Sequence, residues 1–518
     1  MNYNVTIKKG ETVKNITVSQ GTLISDILDD NHVHTDYPCA KKGICKKCLV
    51  HVNGEISEVS TNELSLGTLL EEGYRLACCT HILGDCTLTL EEKEQTLQTA
   101  DNKITVKIDE YNPMFEKYGL AVDIGTTTLS ACILHGQEVL ATENIKNPQI
   151  AYGADVISRI EQQLDGKTDE LADKVIGGIN YLTEILTAKL NISINDIDAA
   201  VITGNTVMLY LLTSRNCKPL SAAPFKADYL GDEFVSGNFS GLTLSQKCKI
   251  YLPPCIAAFV GADITTAILA SKITKQEKTN IMVDIGTNGE MALWHENKLY
   301  CCSTAAGPAF EGVGIKHGMY GVTGAIQTVS VKNGDLEIST IGDVKAKGIC
   351  GSGVVDSIST MLDLEIIDDT GRMEETNDFA ENFVKDDGLT FLLSNGVGIC
   401  EQDVRAIQLA KSAICAGLVT LIKDSKLSFD KIDTLHIAGG FGSYLNLINA
   451  GKIGLIPNEL VPKVNLLGNA ALTGAQMILL NKNNIDEVRS YSKGVNLLDL
   501  ATSQTFMQEY MDNMFFDV

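Results

Sequence analysis

VDIGTTT at residues 122–128 returns as VDIGTNG at residues 283–289. Each places an apolar strand end before Asp, Gly and Thr. Glycine lets the backbone turn tightly beside a ligand. The N–H groups of such a turn, with the threonine hydroxyls, can hold phosphate oxygens. The aspartate can hold Mg²⁺, directly or through water. One turn of this kind is weak evidence. Two, with Asp123 and Asp284 161 residues apart, mark two similar halves, 118–270 and 271–518. From Lys117 onward short apolar strands alternate with helical patterns, which argues an α/β fold.

Two further glycine-rich stretches belong with these turns. HIAGGFGSYL (436–445) runs from an apolar strand toward a helix. Its Gly439, Gly440, Gly442 and Ser443 would let an adenosine lie flat against the backbone. GICGSG (348–353) leads into a helical pattern, so Gly351 and Ser352 are candidate phosphate or ribose contacts. The competing reading is close helix–strand packing. The nucleotide reading assigns Gly125, Thr126, Thr127, Gly286, Thr287 and Asn288 to phosphate and Asp123 and Asp284 to Mg²⁺ and catalysis. Glu290 follows the second turn and could contact Mg²⁺ or water. Asp155, in GADVISRI, could orient the attacking water or cap a helix.

Residues 1–93 read as a separate α+β domain. VTIKKGETVKNITV suggests two strands about Lys9-Gly10, 22–30 a helix, CLVHV and CTLTL further strands, with a helical stretch after Asn62. That order suits a β-grasp fold. Cys39, Cys45 and Cys48 are spaced C-x5-C-x2-C, and Cys78 follows after 29 intervening residues. Three thiolates on one loop and a fourth from a distant segment is the [2Fe–2S] ferredoxin arrangement. Zinc sites usually carry two C-x2-C pairs, and here there is one. Cys79 competes with Cys78 for the fourth position, and the LAC context favours Cys78. Residues 94–117 are polar and read as a linker with at most one strand.

The chain has 518 residues, 42 Lys+Arg against 65 Asp+Glu, and a net charge of -23. That balance disfavours general binding to nucleic acid or to an anionic membrane. The first residues have no apolar core of a secretory signal, and no apolar run reaches the ~18 residues of a span. A cytoplasmic protein with mostly buried, inert thiols is expected from its 15 cysteines. Lys41, Lys42, Lys46 and Lys47 surround the cysteine loop, although residues 1–93 hold nine basic and thirteen acidic groups. They read either as a solvated face or as a docking patch for an acidic redox partner. FMQEYMDNMFF (506–516) has two apolar rows at i+4 spacing, expected to dock on its own domain.

The three turns look like those of the acetate and sugar kinase, heat-shock chaperone and actin superfamily, whose halves are actin-like, with ribonuclease H-like subdomains. More specifically, the whole chain resembles the reductive activators of corrinoid-dependent enzymes. NPQIAYGADVISRI (147–160), GNTVMLYLL (204–212), FVGADI (259–264) and STAAGPAFEG (303–312) are similar to that family's own segments. The resemblance implies a [2Fe–2S] ferredoxin domain joined to an ATPase using ATP with Mg²⁺. It implies a one-electron reduction of inactive Co(II) to Co(I) on a corrinoid protein of a methyltransferase system. It also implies a low-potential ferredoxin or flavodoxin-type donor, a homodimer, and Ser303 as either a turn hydroxyl or a residue facing the corrinoid. Two alternatives stay open: an ATP-driven electron activator of another low-potential enzyme, and a redox-regulated small-molecule kinase. Some relatives carry extra C-terminal iron–sulfur clusters; the last cysteine here is Cys415.

Overall fold

In the computed structural model, described residues are 1–516 except 11, 32, 34, 36, 38, 40, 45, 91–103, 106–107, 333, 375–378, 386–388 and 441–443. The chain forms two compact units, 1–95 with 148–167, and 96–147 with 168–518.

In the N-terminal unit, alternation along Ile82–Leu90 puts Ile82, Cys86, Leu88 and Leu90 inside and Leu83 and Asp85 outside. Such a half-buried strand belongs in a sheet with one covered face. Five strands comply, in the order Thr12–Ser19, Asn2–Lys9, Ile82–Leu90, Leu49–Ile56, Tyr74–Leu76. Asn2–Lys9 and Ile82–Leu90 run parallel and the other neighbours antiparallel. Helix Ile24–Asp30 buries Ile24, Ile27 and Leu28 in the same core as Val5, Ile7, Val50 and Leu88. Each such side chain contributes roughly 1.5–3 kcal/mol of burial. This is the expected β-grasp arrangement. The stretch after Asn62 is two short turns, Glu63–Leu66 and Thr68–Glu71.

The second unit repeats one design. Strands Tyr118–Ile124, Thr128–His135 and Glu138–Lys146 form an antiparallel meander, and Ile197–Gly204 and Lys249–Leu252 extend it in parallel. Strands Asn280–Ile285, Gly289–His295 and Lys298–Thr304 form the same meander, extended in parallel by Thr434–Ala438 and Val464–Gly468. The two VDIG sequences thus end the equivalent first strand of each half. Their residues are buried on both faces, so the strands read as continuous apolar runs rather than alternations.

Three details depart from the sequence reading. By packing, residues 148–167, inside the 118–270 stretch that the sequence reads as one half, group with the N-terminal unit, where Ala151 lies on its core. The end of the expected linker is anchored: Phe115 is buried and the Met114 N–H donates to the Leu479 carbonyl at 2.8 Å. On the last helix, Gln504–Asp512, one apolar row docks and the other does not. Phe506 and Tyr510 pack on the core, while Met507, Met511 and Phe515 are more than half exposed. Helix Glu401–Asp424 has the length and apolarity to cross a membrane, but it is mostly buried inside the second half.

Candidate functional site

The cysteine loop closes against strand Tyr74–Leu76 and the turn after it. The Cys48 and Cys78 Sγ atoms stand 3.4 Å apart. Two thiolates on one tetrahedral metal, with bonds of ~2.3 Å, would stand about 3.7 Å apart, so the pair fits one iron. The contact between the two sulfurs holds the Cys48 thiol below its ordinary range and drives Cys78 above it. Cys39 is half-buried and its charge reaches Cys48. Cys45 lies outside the described residues, and among those described no three His, Cys, Asp or Glu form a metal site. Cys79 is 3.7 Å from Cys78 and half-buried. Gly43, at φ +75, lets the loop close there, because a Cβ would lie 2.7 Å from the Cys79 Sγ. Tyr37, 1% exposed in the same core, carries a hydroxyl with no close hydrogen-bond partner among the described residues. An orphaned O–H beside thiols is the donor a sulfur-rich cluster can satisfy.

Cys78 is positioned by a buried ion pair. The Glu63 carboxylate accepts from Arg75 Nε at 2.9 Å and Nη2 at 3.0 Å. It also accepts from the Ser60 N–H and hydroxyl, the Leu76 N–H and the Thr80 hydroxyl, all within 3.0 Å. Three of these donor residues, Arg75, Leu76 and Thr80, lie on the strand and turn that flank Cys78. These bonds push the Glu63 carboxyl down to about 2 despite burial.

The second unit holds a cavity of about 450 Å³, large enough for a nucleotide. It is lined by Asp123, Gly125, Thr126, Thr127, Gly286, Thr287, Asn288, Glu290, Gly351, Ser352, Gly439 and Gly440. The fold thus brings together nearly all the residues assigned to nucleotide from sequence. Gly442 and Ser443 lie outside the described residues. Gly439, at φ +101, packs so closely that a Cβ would lie 2.5 Å from the Ile285 carbonyl and 3.0 Å from Asp284. Gly351 opens helix Gly351–Asp363, whose N-terminal N–H groups suit an anion.

Of the two sequence readings of Asp155, the structure displays the helix cap. Its carboxylate caps helix Val156–Leu164, accepting from the Ser158 N–H at 2.8 Å and hydroxyl at 2.7 Å. Ser303 is not a turn residue. It sits in strand Lys298–Thr304, directly opposite Glu290, which is opposite Asp284. The three side chains therefore share one sheet face.

The cleft adds residues that sequence reasoning missed. Asp263 opens helix Ala262–Ser271 and lines the cavity. Burial, with Asp123 and Asp284 nearby, raises its carboxyl well above the ordinary range. Burial likewise raises Asp123 to about 6 and Asp284 to about 7. Glu290 is also raised, by burial first and then by Asp263 and Asp284. Two asparagines hold this acidic set in a reciprocal pattern. Asn205 caps helix Thr206–Leu212 with its Oδ1 and donates from Nδ2 to Glu290 at 3.1 Å. Asn469 caps helix Ala470–Leu480 and donates from Nδ2 to Asp123 at 2.9 Å. Each thus serves the other half's carboxylate. The repeated Gly-Asn at 204–205 and 468–469, just after a strand, is the signal that could have found them. Several buried carboxylates, with no cationic side chain among the described lining residues, fit a divalent cation and its phosphates.

Comparison with known proteins gives a family match for each unit. Residues 8–83 match the family described as the 2Fe-2S iron-sulfur cluster binding domain. Residues 118–276 match the RACo middle region, and 278–518 the C-terminal domain of RACo, the ASKHA domain. The chain is 32% identical to the corrinoid activation enzyme RamQ of Eubacterium limosum over 97% of each chain. It is 26% identical to the [Co(II) methylated amine-specific corrinoid protein] reductase of Methanosarcina barkeri over 76% of each. A solved structure of a reductive activator for corrinoid, iron-sulfur protein aligns over 99% of this chain and 98% of its own, at 28% identity and a TM-score of 0.75. A β-grasp unit with a ferredoxin thiol loop, followed by a two-half ATPase matched along its whole length, places this chain in the family of corrinoid-protein reductive activators.

Proposed function

We propose that this chain is an ATP-dependent reductase that returns an inactive Co(II) corrinoid protein to Co(I) by one electron. The observation that carries this reading is the pairing, in one chain of this family, of the Cys48–Cys78 thiol pair with an acidic cleft between two phosphate turns. When bound, a [2Fe–2S] cluster supplies a one-electron couple at about −400 mV, and Mg-ATP supplies a phosphate whose hydrolysis can drive an unfavourable step.

Cys39, Cys45, Cys48 and Cys78 hold the cluster, with Cys79 beside it but not a ligand. Asp123 and Asp284 hold Mg²⁺. Thr126, Thr127, Thr287, Asn288 and the Gly125 and Gly286 turns hold phosphates. Gly439 and Gly440 face adenosine, and Gly351 and Ser352 face ribose or phosphate. Burial makes the Asp263 and Glu290 carboxylates stronger bases than ordinary ones, so in its ionised form either can accept a proton from an attacking water. The electron enters from a low-potential ferredoxin or flavodoxin-type donor in the cytoplasm, and the working form is a homodimer. Nucleotide can act on the reaction only by binding two states of the protein unequally.

The experiment mixes the protein, reductant, Mg-ATP and a Co(II) corrinoid protein and records the Co(I) absorbance. Reduction should require ATP. Equal reduction with and without ATP would overturn the reading. Cys78→Ala should lose the cluster and Cys79→Ala should keep it, measured by iron and sulfide content; the reverse result would exchange their roles.

A further inference from the structure

Thr127 and Thr287 come from the two phosphate turns, one in each half, and their Oγ1 atoms stand 3.1 Å apart. Both hydroxyls donate to one oxygen, Oε2 of Glu311, at 2.6 and 2.7 Å. The other Glu311 oxygen lies toward the Gly286 turn, 3.8 Å from where a Cβ there would sit. Glu311 ends the short turn Pro308–Glu311, inside the segment STAAGPAFEG that continues from strand Lys298–Thr304. That segment has a second tie to the same place: the Gly307 N–H donates to the Thr287 carbonyl at 2.9 Å. Phe310, beside Glu311, is buried and lines the cavity.

A carboxylate oxygen and a phosphate oxygen are both anionic acceptors, and both make short bonds to hydroxyl donors. Each threonine has one hydroxyl proton, so the same two donors cannot serve both anions. Glu311 also adds negative charge beside Asp284, whose carboxyl it helps to raise. A polyphosphate entering the cleft meets that charge as repulsion.

We propose that Glu311 is a phosphate surrogate built into the cleft: it clasps Thr127 and Thr287, and nucleotide phosphates bind by displacing it. The proposal rests on the nucleotide reading of the cleft. Displacement frees the end of segment 303–312, so phosphate occupancy is converted into a change in that segment. This gives the nucleotide the two states, clasped and released, between which its affinity differs. Glu311 is therefore a positioning residue that sets phosphate affinity.

The test uses the full chain, with Glu311→Gln, which keeps the side-chain shape and removes the charge. Calorimetry compares Mg-AMPPNP with adenosine, which has no phosphate. AMPPNP should bind the variant about tenfold more tightly than wild type, about 1.4 kcal/mol. Adenosine should bind both equally. Hydrogen exchange of residues 303–312 should rise in wild type on adding AMPPNP, and should already be raised in nucleotide-free Glu311→Gln. Unchanged or weaker AMPPNP binding by the variant would overturn the surrogate role. Loss of adenosine affinity would overturn it too, by showing that Glu311 merely supports the cleft. A wild type that binds adenosine but whose segment is unmoved by AMPPNP would refute the clasp alone. A wild type that binds neither ligand would refute the nucleotide reading beneath it.

Discussion

Glu63 in the N-terminal unit and Asp123, Asp263, Asp284 and Glu290 in the cleft are all carboxylates removed from water, yet their surroundings push them in opposite directions. Glu63 meets a guanidinium and four other donors, and its carboxyl falls to about 2. The four cleft groups meet amide donors and one another, and every one is raised. None of the four forms an ion pair among the described residues. Burying an unpaired charge is costly, and a fold keeps it only where something else supplies the missing charge. The paired carboxylate is structural, and the unpaired set has the character expected of the proposed site for a cation and its anionic ligand.

The sharpest way to break this contrast is substitution on each side. Asp123→Asn and Asp284→Asn should lower ATP hydrolysis by about 10²–10³-fold and leave iron and sulfide content unchanged. Neither should destabilise the nucleotide-free protein, because each removes a charge that nothing neutralises. Wild-type hydrolysis rates in both variants would remove these residues from the catalytic set. Glu63→Gln should do the reverse. It leaves Arg75 buried without a counter-charge, which costs the N-terminal unit about 3–5 kcal/mol. Iron incorporation should fall, because strand Tyr74–Leu76 no longer sets the position of Cys78, while ATP hydrolysis persists. Normal iron content and unchanged thermal stability would show that the ion pair does not organise the cluster loop.

Solution pH sharpens the same comparison, with opposite signs. Glu63 has a depressed carboxyl, so its contribution is present above the ordinary carboxylate range near pH 4 and is lost as pH falls through about 2. Asp123 and Asp284 are raised, so the folded state binds their protons more tightly than the unfolded chain does. The stability they contribute is present below pH ~4 and is lost as pH rises through about 6 and 7. In Mg²⁺-free buffer, the ATPase unit should therefore melt lower at pH 8 than at pH 5, and Asp284→Asn should flatten that slope. A slope of the same size in the variant would mean that Asp284 does not titrate in this range.

The sequence carried these two regions unequally. The two VDIG turns, the thiol spacing and the strand–helix alternation are local patterns, and they were readable because the chemistry needs contiguous residues. Glu63 and Arg75 were invisible, because a Glu and an Arg twelve residues apart become a pair only when Glu63–Leu66 and Tyr74–Leu76 fold together. Asp263, Asn205, Asn469 and Glu311 were missed for the same reason, since each reaches the cleft from a different strand end or turn. Asp155 was ambiguous in sequence because an acid before an apolar helical run fits a cap and a catalytic role equally. The Ser158 contacts decide for the cap.

The smallest effect expected is at the lysines around the cluster loop. Their sequence suggests a positive patch on an acidic chain, but the structure compensates part of it. Lys41 Nζ lies 2.9 Å from both Asp26 and Asp29, and Lys42 Nζ lies 4.0 Å from Glu161. Two carboxylates on Lys41 leave little positive charge to project from that position. Exposed pairs of this kind contribute about 0–1 kcal/mol, so their loss should barely change stability. Steering by a full patch can raise encounter rates by about 10–10³-fold. Changing Lys41, Lys42, Lys46 and Lys47 together to glutamine should therefore slow electron entry at low salt by less than about tenfold. Lys41→Gln alone should change it least. The salt dependence should flatten, because the charges whose steering is screened as salt shortens the ~8–10 Å Debye length are gone. ATP hydrolysis should not change. Stopped-flow reduction at several ionic strengths measures this, and rates and salt slopes identical to wild type would reduce the four lysines to a solvated face.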